Sequence, residues 1–314
     1  MTADTIRYLS RDALESLHLT TEEVIESIER LLRGRAQSRV WSAPKTAIKP
    51  PDDRYMMATL AVADDPPVMA VKSLLLNPRN PERGLPAINS LVTLLDSNTG
   101  MPLAVLDGNW ITAVRTAGVS AVAAKRLARP DSSVAAFIGC GVQARSHLDA
   151  LAELFPLEEI RAFGRGSANR DALCRKAEAL GCKAVASLTA RDAVSGADLI
   201  VSSVPLTPRP PRFLDARWLK RGAFATLTDL ALPWLPEGMS AFSRIVIDDA
   251  EQEAAMPEPM VAADLVAGDL TGLIDGRIPK RGADDETTAF VSRGMGLGDL
   301  ALAALAYQRA TRTA

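Results

Sequence analysis

The chain has 314 residues, 47% of them hydrophobic, which is enough for about two domains with sizeable cores and no covalent staples. Its 36 basic and 38 acidic residues leave a net charge of -2, so no strong field draws it to nucleic acid or to an anionic membrane, and neither partner is expected. Three cysteines without metal-ligand spacing and only two histidines argue against a metal site and suit reduced thiols in a cytoplasmic protein. The amino terminus carries Asp4 and lacks a basic stretch followed by an apolar core, and no apolar run approaches the roughly 18 residues of a bilayer span.

Thr20 and Glu23 have the spacing of a capping box, and Val24, Ile25, Ile28, Leu31 and Leu32 then recur on one helical face. From about Tyr55 the texture changes to short apolar runs at 68–76, 87–95 and 103–106, broken at Asn77-Pro78, at Gly84 and at Asp96-Ser-Asn-Thr-Gly100, the last read as a hairpin turn. A largely antiparallel sheet preceded by a helix is expected. An alanine-rich helix over 112–127 opens a second zone. Its strands are predicted at 134–138, 160–164, 183–186, 199–204, 223–227 and 245–248, with helices at 143–154, 169–180 and 190–196. Strands alternating with helices of this length predict an α/β, Rossmann-type doubly wound parallel sheet. A third zone, from about Ala289, closes with a helix over 297–310 whose apolar face is assigned back to the first domain. The expected division is therefore a discontinuous α+β domain over 1–113 and 290–314 around a dinucleotide-binding domain over 114–289.

The strand Ser133-Val-Ala-Ala-Phe-Ile138 runs directly into Gly139-Cys-Gly141-Val-Gln-Ala144 and then into a helix, which is the context a GxGxxG/A fingerprint requires. Gly139 permits the tight turn, Gly141 lets the backbone approach a pyrophosphate, and Ala144 lets helix and strand pack closely beneath the helix amides. The competing reading is a glycine turn in a cofactor-free α/β protein. An acid closing the next strand would accept from the ribose 2'-hydroxyl and repel a 2'-phosphate; here the stretch is Phe163-Gly-Arg165-Gly-Ser167-Ala-Asn169-Arg170, with no acid. Arg165 and Arg170 can pair with a phosphate, and Ser167 and Asn169 can donate to it, so NADP(H) is preferred and NAD(H) is the alternative cofactor. Against this stands the plain reading of the arginines as solvated surface charges.

The first zone holds three cations in apolar or turn settings: Lys45, Lys72 and Arg115. Lys72 lies within a run of apolar strand residues, where a lysine either snorkels to water or meets an anionic ligand. Arg115 precedes the helix leading into the nucleotide domain, which would put it at the domain junction.

The segment from Gly84 through Leu95-Asp-Ser-Asn-Thr-Gly100 and Gly108-Asn-Trp-Ile-Thr112-Ala-Val-Arg-Thr, with Ile-Gly-Cys-Gly-Val-Gln-Ala144, closely resembles the ornithine cyclodeaminase/μ-crystallin family. The likeness continues through Gly268-Asp-Leu and Phe290-Val-Ser-Arg-Gly-Met-Gly-Leu-Gly-Asp299, so it spans essentially the whole chain. It implies a homodimer whose terminal segments form a substrate-binding and dimerisation domain, and a small α-imino or α-amino acid as substrate. Family members include cyclodeaminases, alanine dehydrogenases and imine reductases. The resemblance places the carboxylate-binding cations on Lys45, Lys72 and Arg115. The candidate cofactor set joins the fingerprint turn (Gly139, Gly141, Val142, Gln143, Ala144) and the acid-free turn (Arg165, Ser167, Asn169, Arg170) with Arg115, Thr116, Asp229, Ser292 and Gly294.

Two departures qualify it. Lys45 stands where the family usually has arginine, a point charge in place of a planar fork. The family's Gly-(Ser/Ala)-Asp-x-Pro segment reads Asp229-Leu-Ala231-Leu-Pro233, which leaves Ala231 at the place of the cyclodeaminase's catalytic aspartate. Cyclisation needs that carboxylate for proton movement, whereas reducing a formed imine demands less, and the μ-crystallin branch also lacks it. The expectation is an NAD(P)H-dependent oxidoreductase of the C=N or CH–NH bond, with Lys72 and Asp229 as catalytic candidates and water as a third proton source. Asp229 has a plain reading as a turn cap, and Trp234 as a core residue. Two rival functions stand: a cyclodeaminase using Asp229, and a protein that binds NADPH and a small ligand without turnover. Specificity is expected from loops at 77–83 and 205–213, and His147 and Cys140 read as packing residues.

Overall fold

The computed structural model describes residues 6–205 and 211–312; residues 206–210 of the expected specificity loop lie outside them. Two units emerge, Met1–Arg115 with Met295–Ala314, and Thr116–Gly294.

The first unit begins with strand β1 (Arg7–Leu9) and helices α1 (Arg11–Glu15) and α2 (Thr21–Ala36). The capping box forms in α2: Thr20 Oγ1 accepts from the Glu23 amide, the Glu23 carboxylate accepts from the Thr20 amide, and Val24, Ile25, Ile28, Leu31 and Leu32 are buried. Strands β2 (Val40–Ile48), β3 (Tyr55–Asp64), β4 (Pro67–Leu76), β5 (Ile88–Asp96) and β6 (Pro102–Asp107) complete a six-stranded sheet in the order β1-β6-β5-β4-β3-β2. All its pairings are antiparallel except β1 with β6. The hairpin at Asp96 forms as expected, its carboxylate accepting from the Asn98 and Thr99 amides. Strand alternation puts Thr59, Ala61, Val68, Ala70, Lys72, Val92 and Leu94 on the buried face. Trp41, Met56, Leu60 and Leu91 stay exposed on this sheet.

Helix α3 (Gly108–Leu127) starts before the expected residue 112, because the Asp107 carboxylate accepts from the Trp110 amide and caps it. Arg115 lies inside this helix, within the expected span of 112–127 as well as the observed one, and does not precede it. Gly108 is required there, since a Cβ would stand 2.6 Å from the Ser90 carbonyl carbon.

The second unit contains β7 (Val134–Ile138), α4 (Val142–Leu154), β8 (Glu159–Phe163), α5 (Ser167–Ala179), β9 (Lys183–Ala186), α6 (Ala190–Val194), β10 (Leu199–Ser202), β11 (Phe224–Leu227), β12 (Arg244–Ile247), α7 (Ala250–Ala254), β13 (Val266–Asp269), α8 (Leu270–Ile274) and β14 (Thr288–Val291). Its eight strands are all parallel, in the order β13-β12-β14-β11-β10-β7-β8-β9. The chain runs outward from β7 through β8 to β9 and then returns to β10 on the other side of β7, which makes the β7/β10 boundary the switch point of the sheet. β14 corrects the expected third zone: Phe290 and Val291 pair between β11 and β12 and belong to this sheet, and the first unit resumes only at Met295. Helix α9 (Gly296–Arg312) then packs on α2 and on β2–β5 of the first unit, burying Leu297, Leu300, Ala301 and Ala304.

Candidate functional site

At the switch point, Gly139 follows β7 with φ 89°, a conformation that favours glycine, and a Cβ there would lie 2.6 Å from the Ser203 carbonyl oxygen after β10. Gly141 is the N-cap of α4 and supplies no side-chain cap. No atom lies within 4 Å of where a Gly141 Cβ would stand, and Val142 is 57% exposed although apolar, while Ala144 is fully buried against the sheet. An open approach and an uncovered apolar residue at a helix N-terminus fit a dinucleotide diphosphate. Gln143 also lies in this first turn.

Behind the turn, His147 of α4 is buried. Its Nδ1 lies 2.8 Å from the Gln143 carbonyl, which can only accept, so Nδ1 carries the proton and Nε2 accepts from Ser120 Oγ at 2.9 Å. Thr226 Oγ1 of β11 donates to Ser120 in turn. Burial holds the His147 pKa down to about 4. Cys140 is buried and its thiol is pushed up to about 11, mainly by burial, which leaves it unreactive.

Arg165, Ser167 and Asn169 are exposed at the end of β8 and the start of α5, whose N-cap Gly166 provides no side-chain cap. Arg170 is partly engaged: Nε and Nη2 each lie 3.2 Å from Asp171 Oδ1 at the surface, a weak pair. Arg145, which sequence reasoning missed, reaches this corner from α4, donating to the Cys140 carbonyl at 3.2 Å and to Asn169 Oδ1 at 3.4 Å. Its signal was helical spacing from the fingerprint, one turn beyond Gly141.

Asp229 follows β11 and is 1% exposed. Its Oδ2 accepts from Ser202 Oγ at 2.5 Å and from the Val204 amide at 3.1 Å, while Oδ1 has no hydrogen-bond partner of good geometry. Burial raises its pKa to about 6 against these donors. Trp234 is a core residue that donates to the same Ser202. Leu230 and Ala231 both adopt left-handed backbone, φ 60° and 55°, which non-glycine residues rarely hold. Ala231 and Trp234 line a cavity of about 190 Å³, partly open to solvent, with Met239, Met260, Arg212 and Arg293. Ser292 and Gly294 are gathered by Asp248, whose Oδ2 accepts from Ser292 Oγ at 3.0 Å and from the Gly294 amide at 2.6 Å. Thr116 is buried at the start of the second unit.

In the first unit, Lys72 does not snorkel. It is 1% exposed, and Nζ donates to Asp299 Oδ1 at 2.8 Å and to Thr112 Oγ1 at 3.4 Å. Arg115 Nε lies 2.9 Å from the same Asp299 oxygen, an ion-pair contact short of hydrogen-bond alignment at Nε. Asp299 Oδ2 accepts from Thr59 Oγ1 at 3.0 Å. Burial, and next Arg115, bring Lys72 down to about 8, partly offset by Asp299. Burial alone would raise the Asp299 carboxyl, but Arg115 and Lys72 hold it below the usual carboxylate range. Asp299 was missed as a site residue although it stands in the recognised carboxy-terminal block. Lys45 is half-buried in a bulge of β2, where the register with β3 shifts between Ala43 and Thr46. Among the described residues no group of three or more acids, histidines and cysteines could hold a metal, and no helix is long and apolar enough to cross a membrane.

An eight-stranded doubly wound parallel sheet with an open glycine turn at its switch point puts the second unit in the Rossmann-type class of α/β folds. The chain belongs to the ornithine cyclodeaminase/mu-crystallin family, which it matches over residues 8–314. It is 30% identical to an alanine dehydrogenase of Archaeoglobus fulgidus, over 96% of this chain and 94% of that protein. It is 35% identical to the ketimine reductase mu-crystallin of Mus musculus, over 71% of this chain and 70% of the mouse protein. A solved structure of Thermococcus litoralis Δ1-pyrroline-2-carboxylate reductase, in complex with NADH and L-proline, superposes with a TM-score of 0.89 at 28% identity and covers 98% of each chain.

Proposed function

We propose that this chain is an NAD(P)(H)-dependent oxidoreductase acting on the C=N or CH–NH bond of a small α-imino or α-amino acid, and that it works as an imine reductase. The observation that carries this reading is the open first turn of α4 at the switch point, in a chain similar to ketimine and pyrroline-2-carboxylate reductases and to an alanine dehydrogenase. The diphosphate is held by the amides after Gly139 and Gly141, beside Val142, Gln143 and Ala144, with Thr116, Ser292 and Gly294 contributing to the cofactor set and Arg115 assigned to both sets. Lys72, Arg115 and Lys45 bind the substrate carboxylate. Two or three charge-assisted bonds of roughly 1.5–3 kcal/mol each are enough to orient a small acid.

The cofactor supplies or receives a hydride; the protein fixes the acid and provides a proton for the imine nitrogen. Lys72 and Asp229 are the two groups whose pKa values, about 8 and about 6, bracket neutrality. Ala231 places a methyl group where the family's cyclodeaminases carry aspartate, which favours reduction over cyclisation. The absence of an acid at the end of β8, with Arg145, Arg165, Arg170, Ser167 and Asn169 gathered in that region, supports NADP(H) over NAD(H). The exposed apolar residues Trp41, Met56, Leu60 and Leu91 support a homodimer, and the three free thiols support a cytoplasmic setting.

The test is a panel of cyclic and acyclic α-imino acids with NADPH or NADH, followed by loss of dihydronicotinamide absorbance. Turnover of an imino acid is expected, with tighter binding of NADPH. Ammonia and proline formed from ornithine and NAD would overturn the reductase reading, and tighter binding of NADH would overturn the cofactor assignment.

A further inference from the structure

Two cations and one carboxylate are buried together in the first unit. Lys72 and Asp299 are each 1% exposed and Arg115 is 5% exposed, and the polar groups that meet them, Thr59 and Thr112, are neutral. With all three ionised the cluster carries one excess positive charge away from water, a costly state unless an anion completes it. Both oxygens of Asp299 are engaged, Oδ1 by Lys72 and Arg115 and Oδ2 by Thr59, so its charge is fully committed to the cluster. Lys72 spends one N–H on Asp299 and a longer one on Thr112, which leaves its third for a ligand. The placement of Asp299 is enforced by the backbone. Gly296 brings the start of α9 so close to β3 that a Cβ would stand 3.2 Å from the Leu60 carbonyl oxygen, and this sets Asp299 beside Thr59.

We propose that Asp299 is the positioning residue of the carboxylate site: it holds Lys72 and Arg115 on one oxygen, fixes where their remaining donors point, and leaves the single positive charge that the carboxylate of an α-imino or α-amino acid neutralises. This rests on the carboxylate-binding reading of Lys72 and Arg115. Both oxygens of Asp299 being engaged by Lys72, Arg115 and Thr59, it acts through the two cations. Arg115 of α3 and Asp299 of α9 are the charged groups facing Lys72, so removing the carboxylate leaves Arg115 to repel the ammonium.

The test uses the full chain and pyrrole-2-carboxylate, a planar monoanion that cannot be reduced as an imine, with pyrrole-2-carboxamide as the uncharged control. Calorimetric titrations are run between pH 6 and 10 on the wild type, Asp299→Asn, Asp299→Glu and Thr59→Val, with NADPH affinity measured alongside. The wild type binds the carboxylate in preference to the carboxamide and loses affinity as the pH rises through about 8, where Lys72 gives up its proton. Asp299→Asn binds the carboxylate about tenfold more weakly at pH 8, a larger loss than its change in NADPH affinity, and shows its alkaline loss at lower pH, so the gap narrows toward pH 6. Asp299→Glu moves the alkaline loss back toward the wild-type position. Thr59→Val, which keeps every charge and serves if Asp299→Asn does not fold, weakens binding about threefold without moving the alkaline loss. Wild-type affinity and pH dependence in Asp299→Asn, or unaltered affinity in Thr59→Val, would overturn the proposal. A wild type that binds NADPH but no carboxylate defeats the carboxylate-site reading itself, and the proposal with it.

Discussion

Two aspartates, Asp299 in one unit and Asp229 in the other, are each 1% exposed, yet they end in opposite protonation regimes. Asp299 faces Lys72 and Arg115, which outweigh the cost of burial and keep it ionised well below the usual carboxylate range. Asp229 meets only a serine hydroxyl and backbone amides, and burial wins, raising it to about 6. Depth therefore does not decide the charge of a carboxyl group; the formal charge of its neighbours does. One aspartate is a fixed anion around which cations are arranged. The other sits near neutrality, where a proton is cheaply gained or lost.

The sharpest way to break this contrast is to delete the fixed anion. Asp299→Leu leaves Lys72 and Arg115 uncompensated in the interior, and a loss of roughly 3–5 kcal/mol in urea unfolding of the first unit is expected. A loss below about 1 kcal/mol would show that the cations relax to water and that the cluster is not a unit.

Asp229 gives the next effect, with a defined sign. Its folded pKa lies above the unfolded value of 3.8, so its contribution is fully present below that value and is lost as pH rises through about 6. Asp229→Asn removes that loss. Melts should show the variant gaining roughly 1–2 kcal/mol over the wild type at pH 7.5 and nothing at pH 4. Equal stability at both pH values would mean that Asp229 is ionised at no cost and resembles Asp299 after all.

A smaller effect concerns the turn alone. The Gly141 Cβ position is empty of protein atoms, so Gly141→Ala is expected to leave unfolding within about 0.5 kcal/mol of the wild type while weakening NAD(P)H binding about tenfold. Unaltered nucleotide affinity would remove the diphosphate from that turn. Smallest is Arg165→Ala, expected to weaken NADPH about threefold and NADH not at all, read by fluorescence titration of each.

The elements with strong local signals were legible in the sequence. The strand at Val134–Ile138 runs straight into its glycine turn and was placed to the residue, and Thr20 with Glu23 announced α2. β2 was not found, because Pro44 and Lys45 interrupt its alternation at a bulge, and β14 was merged with α9 because pairing in the middle of a parallel sheet depends on distant strands. The site divided the same way. Glycines and the cations of the first zone could be singled out from spacing and context, but Asp299 could not, since its role depends on contacts to Lys72 and Thr59 more than 200 residues away in sequence. Arg145 was passed over for a different reason: surface arginines are common, and only its reach to Asn169 distinguishes it.

The chain Thr226–Ser120–His147–Gln143 admits one arrangement of hydrogens only. The Gln143 carbonyl cannot donate, so each group up to Thr226 has its direction imposed by the next, and the helix, the sheet and α3 are locked like a key with one orientation. An added proton on Nε2 would turn an acceptor into a donor facing a donor. Acid therefore works against this packing at the helix whose opening amides are proposed to hold the nucleotide, and stability drawn from His147 drains away as pH falls from 6.5 toward 4. Bound dinucleotide, by holding those amides in place, should postpone that loss.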